Sequence, residues 1–181
     1  MESKTVSKSS VVAYFFLIAM TIPLQANSQA RMPEGYVALN ALPLPNIGFH
    51  DSNNRPYSLQ DFKGKVVVLN FWATWCAPCV RELPSLKVMA DRLKDKNVVV
   101  IALSQDKGGV PVARGFLERI GLIDFSFYSD STGRAYRLLD VRGLPTTFVI
   151  DADGNAVGRL EGFADWSAES TINFIGNVAP Q

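Results

Sequence analysis

The chain has very little cysteine and histidine: its 181 residues include two cysteines and one histidine. A structural zinc site takes four ligands, so these three residues cannot complete a Cys/His site. A c-type haem is attached where histidine directly follows the second cysteine, and that position is Val80. An excess of charge of one sign is also lacking, with 18 Lys and Arg against 17 Asp and Glu. This balance provides no excess of positive charge of the kind that binds nucleic acid.

The first 30 residues have the composition of an export signal. Lys4 and Lys8 precede an apolar stretch from Val11 to Leu24, and small residues follow at Ser28 and Ala30. This order is typical of a secretory signal peptide, and the apolar stretch is shorter than the roughly 20 residues of a membrane-spanning helix. We predict a signal peptide over residues 1–30, with an uncleaved membrane anchor as the alternative, and a single domain over residues 31–181.

Hydrophobic patterning predicts a strand–helix–strand unit near the middle of the chain. Apolar runs at Val66–Phe71, interrupted only by Asn70, and at Val98–Leu103 are typical of strands buried on both faces. Between them, apolar residues recur at helical spacing over residues 77–95, with Pro84 expected to kink the helix. The order indicates a parallel crossover.

Shorter signals surround this unit. Alternating segments on either side of a turn predict an N-terminal β-hairpin over residues 47–59. A strand at Thr146–Ile150 followed by Asp153 and Gly154 predicts a second hairpin. Together these elements predict an α/β fold with three layers, in which a central mixed sheet carries helices on both faces. Further elements are predicted at residues 113–120 (helix), 125–128 (strand), 130–139 (a capped helix) and 172–178 (helix).

The two cysteines, Cys76 and Cys79, lie where the first core strand meets the first helix. A structural disulfide is the ordinary alternative in an exported protein, but a bridge that closes four residues stabilises little. The N-terminus of a helix favours the thiolate, and the thiolate is the attacking form in thiol–disulfide exchange. Pro78 suits the first helical turn. We therefore predict that Cys76 attacks a partner disulfide and that Cys79 resolves the mixed disulfide.

The neighbours of this pair are candidates for proton transfer and for substrate contact. Glu82 lies three residues past Cys79 on the same helix face, where its carboxylate could accept the proton of Cys79. The alternative is an ordinary acidic residue in the first helical turn. Trp75 is expected to flank the site and Trp72 to lie in the core. His50 is expected to be a surface or packing residue rather than a ligand.

Two segments carry a family resemblance. Asn70–Cys79 resembles the active-site segment of the thioredoxin superfamily, and Gly143–Asp151 resembles the segment that carries that family's cis-proline. The likeness covers most of residues 40–178. It implies a thioredoxin-like fold, with Pro145 as the cis-proline and Leu144 in contact with the substrate backbone. The predicted substrate-binding residues are Trp75, Ala77, Pro78, Leu144 and Pro145.

The nearer resemblance is to the exported TlpA/ResA-like branch of that superfamily. It is carried by the export signal, the N-terminal hairpin, the run Cys79–Pro84 and a central insert over residues 104–130. This branch reduces disulfides outside the cytoplasm, often in cytochrome c maturation or copper delivery, and is recharged by a membrane thiol transporter. We predict a monomer without cofactor or metal that acts on disulfide-bearing exported proteins.

The chain differs from thioredoxin itself at Asn70, because thioredoxin has a buried aspartate at the corresponding position. Asparagine cannot act as a base, so the proton released by Cys79 must be accepted by Glu82, by water or by the partner. The TlpA/ResA-like branch often shares this asparagine, which also supports the assignment.

Three other activities are open to a dithiol. A disulfide-introducing oxidase is disfavoured because no histidine lies between the cysteines. A Cu(I)-transfer module could use two thiols, but no Met-rich or His-rich cluster accompanies them. A thiol peroxidase would need Thr or Ser where Ala73 stands and Pro where Leu69 stands. We therefore predict a periplasmic thiol-disulfide reductase.

Overall fold

An eight-stranded mixed sheet runs through the computed structural model, which describes residues 31–178. The predicted signal peptide lies outside the described residues. None of the helices in residues 31–178 is long and apolar enough to cross a membrane. The strands are β1 (Tyr36–Pro43), β2 (Gly48–Asp51), β3 (Pro56–Ser58), β4 (Val66–Trp72), β5 (Val98–Ser104), β6 (Phe127–Ser129), β7 (Thr146–Ile150) and β8 (Asn155–Glu161). The helices are α1 (Ala77–Leu93), α2 (Gly109–Arg119), α3 (Arg134–Leu138) and α4 (Glu169–Val178), with a 3₁₀ turn over Leu59–Phe62.

The centre of the sheet confirms the predicted crossover. In spatial order the strands are β1-β8-β7-β4-β5-β6-β2-β3. β4 and β5 are parallel, with Val66 opposite Val98 and Trp72 opposite Ser104, and α1 connects them. β7 runs antiparallel on the other side of β4. The sheet is therefore mixed, as predicted, and β4 has hydrogen-bonded neighbours on both sides.

Every residue of β4 is buried because both faces of the sheet are covered. Side chains alternate between the faces of a strand, so Val68 and Trp72 pack on the face that carries α1, α2 and α4. Leu69 and Phe71 pack on the opposite face, with α3 and the hairpin of β2 and β3. Burial of each such side chain stabilises the fold by about 1.5–3 kcal/mol. The core position predicted for Trp72 is confirmed.

Two elements, β1 and the third helix, differ from the prediction. β1 was not predicted, because most of its residues are exposed and they show no apolar alternation. The third helix is reduced to α3, five residues long, and its N-cap is Gly133 rather than one of the predicted residues 130–132. Asp130 and Thr132 lie ahead of that N-cap and accept hydrogen bonds from the backbone N–H groups of Ala135 and Arg134, respectively. The central insert contains α2 and β6. The N-terminal hairpin is present as β2 and β3, and β2 also pairs with β6.

Candidate active site

Cys76 is the N-cap of α1. Its Sγ accepts a hydrogen bond from the backbone N–H of Cys79 at 3.4 Å, and its carbonyl oxygen accepts from the N–H of Val80 at 3.0 Å. An N-cap side chain ordinarily accepts from the second or third helical residue. The second residue here is Pro78, which has no N–H, so the amide of Cys79 takes this role. The same amide and the helix dipole would stabilise a thiolate on Cys76.

Cys76 and Cys79 form a disulfide, with their Cα atoms 5.3 Å apart. The two sulfurs have different access to solvent: Cys76 is 6% exposed and Cys79 is 0% exposed. A partner disulfide can therefore reach Cys76 first.

Glu82 lies on α1 with its side chain fully buried. Its Oε1 accepts from Nδ2 of Asn70 at 2.7 Å, and its Oε2 accepts from the N–H of Ala164 at 3.0 Å and from Nε1 of Trp166 at 3.4 Å. Burial raises the pKa of Glu82 to about 7, because the cost of removing the charge from water outweighs these three hydrogen bonds. A carboxyl group with this pKa can both accept and release a proton near neutral pH.

Asn70 connects this carboxyl group to the next strand. Its Nδ2 also donates to Oγ1 of Thr147 on β7 at 2.9 Å. Its Oδ1 is buried and has no hydrogen-bond partner among the described residues. Side-chain amides present a donor and an acceptor at nearly the same place, and a rotation exchanges them. Asn70 can therefore form a hydrogen bond with Glu82 whether the carboxyl group is ionised or protonated.

The loop before Cys76 is held by a carboxylate that the sequence analysis did not single out. Asp106, just past the end of β5, is buried. Its two oxygens accept from the N–H of Thr74 at 3.1 Å, from Oγ1 of Thr74 at 2.7 Å and from Oγ of Ser104 at 2.8 Å. The segment that carries Trp75 and Cys76 is thereby anchored to the central strands.

The Leu144–Pro145 peptide bond is cis, as the resemblance implied. It lies directly before β7, where the carbonyl oxygen of Pro145 accepts from the N–H of Gly162 at 2.9 Å. Oγ1 of Thr146 donates to the carbonyl oxygen of Gly143 at 2.8 Å. These contacts fix the position of the loop beside the dithiol.

A groove of about 570 Å³ opens beside Cys76. Four of the predicted substrate-binding residues line it, and Trp75 is 72% exposed there. Pro145 is buried and is not part of the lining. His50 is exposed on β2, as expected. The full lining is Trp75, Cys76, Ala77, Pro78, Gln105, Gly133, Tyr136, Gly143 and Leu144.

Four lining residues were missed from the sequence: Gln105, Gly133, Tyr136 and Gly143. They come from three separate segments, which are the end of β5, the start of α3 and the loop before β7, and only the topology brings those segments to one end of the sheet. The one available signal was the sequence position of Gln105 directly after a buried parallel strand, since ligand sites lie at the carboxyl ends of such strands.

A dithiol that caps a helix and shares a groove with a cis peptide bond, on a sheet of this order, defines a thioredoxin-like thiol-disulfide oxidoreductase. Comparison with known proteins gives the family. The chain belongs to the AhpC/TSA family, whose model matches residues 41–157.

The curated relatives agree with this class. The chain is 34% identical over 136 residues to the thiol-disulfide oxidoreductase ResA of Bacillus thuringiensis subsp. konkukian, covering 75% of this chain and 76% of that protein. It is 32% identical over 153 residues to the ResA of Geobacillus thermodenitrificans, covering 84% and 85% of the two chains. The enzyme is therefore a thiol-disulfide oxidoreductase.

Solved structures agree with the fold. A protein of Chlorobium tepidum assigned as the thiol:disulfide interchange protein DsbE matches with a TM-score of 0.69 and 28% identity, over 80% of this chain and 100% of that chain. A DsbF homologue from Corynebacterium diphtheriae matches with a TM-score of 0.66 and 25% identity, over 82% and 98% of the two chains. The predicted three-layer thioredoxin-like fold is confirmed.

Proposed function

We propose that the chain is an exported reductase of protein disulfides, with Cys76 as the attacking thiol and Cys79 as the resolving thiol. The observation that carries this proposal is the difference between the two sulfurs. Cys76 lies at the helix N-terminus, at the wall of an open groove, and has the amide of Cys79 directed at it. Cys79 is fully buried behind it.

The proposed reaction transfers two electrons from the dithiol to the partner. The thiolate of Cys76 attacks one sulfur of the partner disulfide, the partner's S–S bond breaks, and the other partner sulfur leaves as a thiolate. The thiolate of Cys79 then attacks Sγ of Cys76. The bond between Cys76 and the partner breaks, the partner leaves with both thiols reduced, and the Cys76–Cys79 disulfide forms.

Glu82 is proposed to take the proton of Cys79 during resolution. Cys79 is buried and begins as a thiol, so its activation needs a base within the protein. Glu82 lies one turn further along α1, and its pKa of about 7 suits a base that works near neutral pH. Asn70 would hold the carboxylate in place through the 2.7 Å hydrogen bond.

The location and partners are proposed from the sequence. The signal-like residues 1–30 support export, with the periplasm as the compartment and an uncleaved anchor facing it as the alternative. The substrates are proposed to be disulfide-bearing exported proteins, in cytochrome c maturation or copper-site assembly. A membrane thiol transporter is the proposed electron donor, and the working form is proposed to be a monomer.

The proposed direction of electron flow is reduction of the partner. Strongly oxidising pairs have a thiolate that is greatly stabilised. Ala77 and Pro78 between the cysteines carry no charge that would add to the helix dipole. The reduction potential of the pair against glutathione decides the direction. A reduction potential of about −120 mV would contradict the proposed reductase role and favour an oxidase.

The proposed roles of the two sulfurs are tested with insulin as the disulfide substrate. Cys76→Ser should abolish reduction, because no attacking thiolate remains. Cys79→Ser should accumulate a mixed disulfide that survives non-reducing electrophoresis, and mass spectrometry should place the adduct on Cys76. The double variant gives the baseline. Full turnover by Cys79→Ser would overturn the resolving role.

A further inference from the structure

The segment that follows β8, residues 162–167, is bonded to α1 at the buried carboxyl group of Glu82. Oε2 of Glu82 accepts two hydrogen bonds from this segment, from the N–H of Ala164 at 3.0 Å and from Nε1 of Trp166 at 3.4 Å. A third hydrogen bond runs from the backbone N–H of Trp166 to Oγ of Ser85 at 3.1 Å. The segment therefore holds one particular oxygen of the proposed base.

Trp166 is the side chain through which this segment contacts Glu82. It is 0% exposed and packs in the core on the face of the sheet that carries α1. Trp72 is equally buried in the same core, but its Nε1 has no hydrogen-bond partner among residues 31–178. The two tryptophans therefore differ in whether the indole N–H contacts an acceptor.

The two oxygens of Glu82 have different partners. Among the described residues, two donors bond to Oε2, whereas Oε1 accepts from Nδ2 of Asn70 alone, at 2.7 Å. A proton on Oε2 would face the N–H groups of Ala164 and Trp166, and neither an amide N–H nor an indole N–H can accept a hydrogen bond. A proton on Oε1 would face a side-chain amide, which presents its oxygen after a rotation. Oε1 is therefore the oxygen that is suited to carry a proton.

We propose that Trp166 is a positioning residue for proton transfer, which together with the N–H of Ala164 holds Oε2 of Glu82 so that Oε1 accepts the proton of Cys79. This inference rests on the proposed function, in which Glu82 is the base for Cys79. In this step the S–H bond of Cys79 breaks, an O–H bond forms at Oε1, and the electron pair of the S–H bond stays on sulfur. The resulting thiolate then attacks Sγ of Cys76.

Few titratable groups face Glu82 from the elements packed against it. β4 and β7 contain no titratable residue. On α1, the thiol of Cys79 lies one turn away on the same face. Arg81 and Asp165, which adjoin Glu82 and Trp166 in sequence, are both exposed. Glu82 is therefore governed by burial and by its hydrogen bonds rather than by a neighbouring charge.

The hydrogen bond from Trp166 favours the ionised form of Glu82. Burial has the largest effect and raises the pKa of Glu82, while the hydrogen bonds from Ala164, Asn70 and Trp166 lower it. Removal of the indole N–H should therefore raise this pKa further. A role of Trp166 in packing alone gives no reason for such a change.

The test compares Trp166→Phe with Trp72→Phe as its matched control. Each substitution removes an indole N–H from the same core and leaves an aromatic ring in place. Protonation of Glu82 is followed in the oxidised full chain by the infrared absorption of the protonated carboxyl group, with the spectrum of Glu82→Gln subtracted. Trp166→Phe should raise the pH of half-protonation by about half a pH unit or more. Trp72→Phe should keep the wild-type value.

The same variants are compared in the resolution step. A mixed disulfide on Cys76 is formed in acid, where Cys79 stays protonated, and resolution is started by a jump to higher pH. In Trp166→Phe the inflection of the pH–rate profile should move upwards together with the infrared midpoint. At pH 6 this makes resolution about threefold slower, because less of Glu82 is ionised.

Ser85→Ala gives a second variant that keeps the indole donor. It removes the acceptor of the backbone N–H of Trp166, so the 162–167 segment loses one of its three bonds to α1. The infrared midpoint should rise, by less than in Trp166→Phe. This variant decides the outcome if Trp166→Phe does not fold, and an unchanged midpoint in it would then overturn the inference.

The outcomes separate this inference from the proposed function. An equal infrared midpoint in wild type and Trp166→Phe would overturn the role of Trp166 and leave Glu82 as the base. An equal rise in Trp72→Phe would also overturn it, because a general change in packing would then explain both. A midpoint that moves while the pH–rate inflection stays in place would contradict Glu82 as the base of the proposed function, and the inference with it.

Discussion

Glu82 and Asn70 are joined by a 2.7 Å hydrogen bond between α1 and β4, within the buried interior next to the dithiol. The carboxyl group of Glu82 can gain and lose a proton, whereas the side-chain amide of Asn70 cannot. Nδ2 of Asn70 can donate to an ionised Glu82. Its Oδ1, which has no hydrogen-bond partner among residues 31–178, could accept from a protonated Glu82 after the amide rotates. Asn70 thus supports a carboxyl group that changes its charge near neutral pH, without adding a second charge beside it.

The first prediction concerns stability against pH. The pKa of Glu82 is raised from 4.5 to about 7 in the folded protein, so the unfolded chain releases this proton at lower pH than the folded one. Stability from this group is fully present below about pH 4 and is lost as pH rises towards 7, by about 3 kcal/mol in all. We expect Glu82→Gln to lack this loss.

Urea unfolding of the oxidised protein at pH 5 and pH 8 measures the effect. The difference between wild type and Glu82→Gln isolates Glu82 from the other titrating groups. Glu118→Gln, at an exposed position of α2, is the control and should follow wild type. Parallel pH profiles for wild type and Glu82→Gln would show that the raised pKa does not affect folding.

The second prediction concerns catalysis. Glu82→Gln should slow resolution of the mixed disulfide by about 10²-fold, the usual effect of losing a general base. The attack by Cys76 should be unchanged. Stopped-flow measurement of a preformed mixed disulfide over pH 5.5–9 should show an inflection near 7 in wild type and none in the variant. An inflection near 7 in both proteins would assign the base elsewhere.

The third prediction concerns the anchor of the loop before Cys76. Asp106→Ala removes the acceptor of three hydrogen bonds from Thr74 and Ser104. Loss of about 2 kcal/mol of unfolding free energy is expected, because the donors lose charged partners. KM should rise more than kcat falls, since the freed segment carries the exposed Trp75. Thr74→Ala, which removes one of these bonds, should show a smaller change in the same direction.

The strand–helix–strand unit and its dithiol could be predicted because their signals are local. The apolar runs of β4 and β5 and the spacing of α1 each lie within a short window of sequence. The partners of Glu82 could not be predicted in this way. Ala164 and Trp166 donate to its carboxylate from 82 and 84 positions further along the chain, and no local pattern encodes that approach. The sequence indicated the candidate base but not the burial that raises its pKa.

β1 was missed for a related reason. Its position depends on a contact with β8 and α4 rather than on its own pattern. The ring of Tyr36 lies over Gly158 in β8, and it packs edge-on against Phe174 in α4 with the ring centroids 5.8 Å apart. A Cβ at position 158 would overlap Oη, Cζ and Cε2 of Tyr36, so any residue other than glycine there requires the ring of Tyr36 to move.

The fourth prediction tests this contact with a double-mutant cycle. Gly158→Ala should destabilise the fold by about 1–3 kcal/mol, because the added methyl group displaces the ring of Tyr36. In a Tyr36→Ala background the same substitution should cost little, which gives a coupling of at least about 1 kcal/mol between the two positions. Gly48→Ala, whose Cβ would make only an ordinary contact with Tyr57 at 3.7 Å, is the control in another strand. Urea unfolding measures all four variants, and equal costs of Gly158→Ala in both backgrounds would show that Tyr36 is not what requires glycine at that position.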